Sequence, residues 1–213
     1  MIRIGAWLVL SLGLLLLGAR PPDRSQATQA KASTTTTPEY TADGRLKFPE
    51  NYREWIYLSA GIDMSYGPAS NMGHSLFDNV FVNPESYKAF LATGTWPDKT
   101  MLVLEVRGAA NKNAINKTGH YQTPERMGLE VHVKDGARFT ATGGWAFFGF
   151  DTDAPSKMDP KEMDCYSCHR QHAAVDTTFV QFYPTLIEIA KKKGTLSPAY
   201  VKDEAAATEQ TQK

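Results

Sequence analysis

Both cysteines of this chain fall in one pentapeptide, Cys165-Tyr166-Ser167-Cys168-His169, and the spacing C-x-x-C-H is that of a covalent c-type haem attachment site. On a helix the two sulfurs lie about one turn apart, so both can bond the vinyl groups along one haem edge while the adjacent imidazole turns beneath the iron. The expected cofactor is one covalent haem c, bound through Cys165 and Cys168, with His169 as the first iron ligand. Three other chemistries use part of the same pentapeptide. A thioredoxin-type C-x-x-C normally follows a strand in a βαβ unit, whereas this one follows the polar Asp159-Pro160-Lys161-Glu162-Met163-Asp164. A zinc site would need His169 and His172 as its remaining donors, with no finger-like module between the two ligand pairs. A disulfide across two residues closes too small a loop to contribute much.

The second axial position decides between ligand chemistry and electron transfer, because a filled sixth site favours the latter. Imidazole candidates are His74, His120, His132 and His172, and thioether candidates are Met64, Met72, Met101, Met127 and Met163. None has a distinctive local setting. His172 follows His169 by about one turn of the same helix and so cannot reach the opposite haem face, while His74 and His120 lie in glycine-flanked loops.

Compartment follows from the N-terminus. Arg3 precedes an apolar run, Ile4 to Leu17, that ends at Gly18-Ala19, the pattern of an export signal removed after Ala19 or Ala27. The run is shorter than the roughly 20 apolar residues of a membrane-spanning helix, so an uncleaved anchor is the lesser reading. An exported, periplasmic protein is expected, which agrees with the attachment of c-type haem outside the cytoplasm.

The rest of the chain must position the motif. Of 213 residues, 23 are Lys or Arg and 23 Asp or Glu, so bulk charge gives no argument for nucleic acid or an anionic membrane as partner. Residues 1–27 read as the signal and 28–45, rich in Ser, Thr, Ala and Pro, as a flexible linker. Residues 46–196 read as one domain and 197–213 as a polar tail with too little apolar material to dock. Strand patterns occur at Ile56-Leu58, Asn79-Val82, Thr100-Val106, Gly128-Val133 and Trp145-Phe150. Turn-rich segments separate them, which favours hairpins over parallel crossovers. A helix is predicted from Pro84 to Thr93, with Asn83 as N-cap and Gly94 as its stop. Another carries the cysteine motif, and the last covers Thr178 to Lys193, broken or restarted at Pro184. The fold class is therefore α+β: a mostly antiparallel sheet, a few helices, and the haem helix near the C-terminus. Four long amphipathic helices are absent from these patterns, which excludes a helical-bundle cytochrome c-prime.

Several segments in order resemble the cytochrome P-460 family and its sheet-rich relatives, the beta-type cytochromes c-prime. They are Pro49-Glu50-Asn51-Tyr52-Arg53-Glu54-Trp55, Val82-Asn83-Pro84-Glu85-Ser86-Tyr87, Thr93-Gly94-Thr95-Trp96-Pro97-Asp98, Gly128-Leu129-Glu130, Gly144-Trp145-Ala146-Phe147, and the cysteine motif followed by Phe182-Tyr183-Pro184. The resemblance implies an antiparallel β fold, a homodimer, and a five-coordinate c-type haem whose open face binds small nitrogen oxides or hydroxylamine. It also implies a lysine cross-linked to the haem ring in the ammonia-oxidiser enzymes, and the ungapped match puts that position on Leu104. Leucine has no nucleophilic nitrogen, so the cross-link is expected to be missing, and the nearest other lysine, Lys99, reads as a solvated turn charge. Glu130 matches the carboxylate placed near substrate, although the alternation of Leu129, Val131 and Val133 with Glu130, His132 and Lys134 fits an ordinary half-buried strand equally well.

Three functions follow as expectations. The first is an exported mono-haem cytochrome binding nitric oxide or a related small gaseous or nitrogenous ligand against an apolar wall that includes Leu104, with a possible redox protein partner. The second is an oxidoreductase acting on hydroxylamine or peroxide, with Glu130 taking protons. The third is a six-coordinate electron carrier.

Overall fold

The computed structural model of the chain describes residues 36–65, 75–159 and 162–211. The expected export signal, most of the linker, His74 and Met72 lie outside the described residues. The architecture is α+β, a five-stranded antiparallel sheet in the order β1-β2-β3-β4-β5 with helices against one face. The strands are β1 (Ile56–Ile62), β2 (Leu76–Val82), β3 (Met101–Ala110), β4 (Tyr121–Lys134) and β5 (Trp145–Phe150). Sequential strands pair with their neighbours throughout, as hairpin connections require.

Alternation assigns the two faces. Met101, Val103, Leu129, Val131, Val133, Ala146, Phe148 and Phe150 point to one side, where Leu46, Tyr52 and Trp55 from the N-terminal segment cover them. The residues between them, including Leu102 and Trp145, point to the side that carries Phe90, Trp96, Val180, Leu186 and Tyr200. In β1 a bulge between Tyr57 and Ser59 shifts the register, which puts Ser59 and Gly61 on the helical side together with Leu58.

Helix α1 (Pro84–Thr93) has the predicted bounds, with proline in its first turn and Gly94 at φ 76° as its left-handed stop. Asn83 does not cap it with its side chain. Its Oδ1 instead accepts from the Met101 amide and its Nδ2 donates to the Thr36 carbonyl, so the residue staples the start of β3 to the N-terminal segment. Helix α2 (Glu162–His172) carries the cysteine motif. The expected helix from Thr178 resolves into a short 3-10 turn, Val180–Phe182, and α3 (Pro184–Lys193), restarted at the proline as its fixed φ and missing N–H require.

Three expectations need correction. Residues 197–213 are not a plain tail: Pro198–Thr211 forms α4, whose Tyr200 is 8 % exposed within the helical-side core. The Tyr200 ring and the Asp203–His172 contact anchor this otherwise polar helix. Packing against the domain also extends N-terminal of Leu46, since Tyr40 pairs with Leu46, which in turn pairs with Ser156, and Tyr40 packs on Phe148. Finally, Lys99 is not merely solvated: its Nζ lies 2.8 Å from Asp135, a carboxylate 3 % exposed.

Candidate functional site

One cavity of about 340 Å³ lies between the sheet and the helical layer, within the size range of small-molecule and cofactor sites. Its sheet wall comes from alternate residues of neighbouring strands: Asp78 and Val80 of β2, Leu102 and Leu104 of β3, Glu130 and His132 of β4, and Phe147 of β5. Register explains the convergence, because Val80 pairs with Leu104 and Leu104 pairs with Glu130, and His132 lies between Leu102 and Phe147. The opposite wall comes from Cys165, Cys168 and His169 of α2 together with Phe179, Phe182 and Tyr183. The walls are mainly apolar and aromatic, as expected for a flat, greasy ligand.

His169 is held from three directions. Its Nδ1 lies 2.8 Å from the Thr177 carbonyl; a carbonyl only accepts, so Nδ1 carries the proton and Nε2 keeps its lone pair. Phe179 packs against the ring at 4.3 Å and Phe147 meets it at 4.7 Å and 65°. Burial lowers the imidazole pKa, only partly opposed by the Thr177 bond, which favours the neutral ring that binds metals. The turn supplying that carbonyl is itself pinned. Val175 and Thr178 bridge across it with Asp176 at φ 53°, Lys134 Nζ reaches Asp176 at 3.0 Å, and Trp96 Nε1 donates to Thr178 Oγ1 at 2.7 Å.

Of the sequence-derived residues, Cys165, Cys168, His169, Leu104 and Glu130 all line this one cavity. Glu130 stands at the side still reached by solvent, yet surrounding protein, and then the charges of Asp159 and Asp78, push its pKa above the ordinary glutamate value. Asp78, which the sequence reading passed over, also lines the cavity and is raised by burial and by Asp63. Of the aromatic residues at strand positions, Phe147 faces the cavity while Phe81 and Phe148 pack on the far face.

The axial candidates among the described residues divide into those at the cavity and those away from it. His172 turns away to Asp203 at 2.6 Å, and His120 is exposed in a loop outside the cavity. His132 lies in the wall, but its ring touches His169 edge-on at 5.2 Å, so it flanks that imidazole rather than opposing it. Burial holds its pKa well below the usual histidine value. Among the methionines, Met101 is in the far core, Met127 and Met163 are exposed, and Met64 lines the cavity, folded against Gly61.

These residues fit a haem attached through both cysteines. The two sulfurs and the His169 ring share one cavity, Nδ1 is tied back so that Nε2 is the available donor, and apolar residues face them. Among the described residues no group of three or more His, Cys, Asp or Glu is placed to hold a metal ion, so the four donors a zinc site needs are not gathered there. No disulfide joins the cysteines.

A family model for Cytochrome P460 matches residues 49–180, from the segment before β1 through the cysteine motif to the turn after it. Among curated proteins, none matches the chain.

Proposed function

We propose, for a chain that belongs to the cytochrome P460 family and is thereby a haem-binding cytochrome, an exported protein with one covalent haem c whose open side binds nitric oxide or a related small nitrogen oxide. The observation that carries this reading is the shared cavity: Cys165, Cys168 and His169 on one wall, Val80, Leu102 and Leu104 on the other. Haem in such a site supplies an iron that takes up a small ligand and exchanges single electrons. The chain's own residues do the rest. Cys165 and Cys168 anchor the ring edge, His169 donates from Nε2, and the Thr177 carbonyl fixes that ring. Val80, Leu102 and Leu104 offer no hydrogen-bond donor, which favours a neutral diatomic over a polarised adduct. Export is supported by Arg3 and the apolar run Ile4 to Leu17. The test is the ferrous spectrum of protein matured with haem, with and without nitric oxide. High-spin five-coordinate iron that binds the gas supports the reading, and low-spin iron that ignores it defeats it.

Glu130 favours a second reading, oxidation of hydroxylamine with electrons leaving to an external acceptor. Its raised pKa and place in the cavity suit a carboxylate that accepts the proton a bound substrate releases. Glu130→Gln keeps the shape and removes the base. Unchanged turnover of hydroxylamine in that variant would remove Glu130 from the chemistry.

A further inference from the structure

His132 is a buried imidazole with no duty as an iron ligand, and it touches the residue that has one. Its ring stacks on Phe147 at 4.0 Å and 13°, tilts on Trp145 at 4.4 Å, and meets His169 edge-on. Phenylalanine could fill that slot as well; what a phenyl ring lacks is a nitrogen. The His132 Nε2 shares a hydrogen bond of 3.3 Å with Thr177 Oγ1, and the carbonyl of the same Thr177 takes the Nδ1–H of His169 at 2.8 Å.

We propose that His132 is a positioning residue for the axial imidazole, acting through the Thr177 hydroxyl to hold the carbonyl that orients His169 and sets how strongly it donates. The proposal rests on the reading of His169 as the axial ligand. The pins on either side of Thr177, Lys134 on Asp176 and Trp96 on Thr178, fix the ends of the turn. Neither touches Thr177 itself, whose peptide plane still has soft dihedrals on both sides. A bond from the hydroxyl to His132 anchors the residue, and His132 is in turn clamped by two aromatic rings. The aim of the carbonyl is thus carried back to β4. A shorter, straighter bond from Nδ1–H gives the imidazole more anionic character and makes it a stronger donor; a slack one makes it weaker.

The experiment uses the full chain matured with haem in four variants. Thr177→Val removes the hydroxyl and keeps shape and carbonyl, Thr177→Ser keeps the hydroxyl, His132→Phe keeps the stacked ring, and His169→Ala is the control. Two properties are read, the reduction potential and the iron–histidine stretching band of the ferrous protein. Thr177→Val and His132→Phe are expected to raise the potential and move the band to lower frequency, and Thr177→Ser to restore the parent values. A potential and band unmoved in Thr177→Val, or moved equally in Thr177→Ser, overturn the proposal, because the hydroxyl would then carry nothing. The Thr177 pair decides even where His132→Phe fails to fold. If His169→Ala leaves the potential and the band of the parent protein in place, the axial reading itself fails, whatever Thr177 does.

Discussion

Replacing Leu104 by lysine puts a cation directly across from Glu130, since the two residues are partners in the β3–β4 register. Directly opposed residues have Cβ atoms about 4.5–5.5 Å apart, so the ammonium reaches the carboxylate with little adjustment. Leu104 is only half-buried, so losing its apolar contacts costs about 1–2 kcal/mol, less than the roughly 1.5–3 kcal/mol of a fully buried leucine. Attraction at about 4 Å would reach about 4 kcal/mol at an effective dielectric of 20, but Glu130 meets solvent, which cuts the pair to about 1 kcal/mol. Leu104→Lys should therefore cost about 0–1 kcal/mol in the parent and about 1–2 kcal/mol when Glu130 is already glutamine. The assay is a double-mutant cycle by urea unfolding of the haem-loaded protein at neutral pH, with an expected coupling of about 1 kcal/mol. The pH dependence gives an independent sign. The folded-state pKa of Glu130 is raised, so between the unfolded and folded values the native state binds more protons and parent stability falls as pH rises. The lysine should flatten that slope and Glu130→Gln should remove this contribution. Coupling below about 0.3 kcal/mol, the level of independent sites, would refute the placement of these two residues face to face.

Glu105 is 1 % exposed and accepts from Tyr52, Arg53 and Arg107 on the far side of the sheet. Glu105→Gln should cost about 1.5–3 kcal/mol in urea unfolding, because it weakens the charge-assisted bonds from Arg53 and Arg107, while the visible spectrum of the folded fraction stays unchanged. Burial opposes its ionisation, but the bonds from Arg107 and Tyr52 outweigh this and lower its pKa, so its contribution is present above the ordinary glutamate value and is lost as pH falls through the folded value. Tyr200→Ala should lower stability by about 3 kcal/mol, as large-to-small changes at buried aromatics do, whereas a true tail would show no change. Cys168→Ala should leave haem attached by one thioether, read as a corresponding mass and a shifted absorption maximum; retention of the parent spectrum would contradict the attachment.

The grouping of side chains was legible where spacing alone carries it. Cys165, Cys168 and His169 need only one helical turn to converge, and the strand cores announced themselves through alternation at Leu102 to Val106 and Leu129 to Val133. Alternation also showed that Glu130 and His132 share a face, but could not show that this face is a cavity wall, because the covering layer comes from α2 and Phe179 to Tyr183, distant in sequence. Asp78 was missed for the same reason. The outer arms of β3 and β4, up to Ala110 and from Tyr121, escaped because they bury little on either face and so leave no periodic signal. Asn83 looked like an N-cap by type and position, and the structure spends its amide on longer-range contacts instead.

The two-residue period of β3 and β4 divides labour within single strands. Met101, Val103, Leu129, Val131 and Val133 face the far core, while Leu102, Leu104, Glu130 and His132 face the cavity. Each far-core residue lies beside a cavity residue, so the packing that fixes the register also fixes the aim of the chemistry. A slip of one residue would exchange the two sets, turning Glu130 and His132 into a core they cannot satisfy. The network around Glu105 makes that slip costly, because Tyr52 meets the carboxylate, and Arg107 meets the Thr123 and Pro124 carbonyls of β4, in this register. Residues at the cavity can then differ in chemical type without loosening the sheet that presents them. Register and cavity wall are thus set by opposite faces of the same two strands.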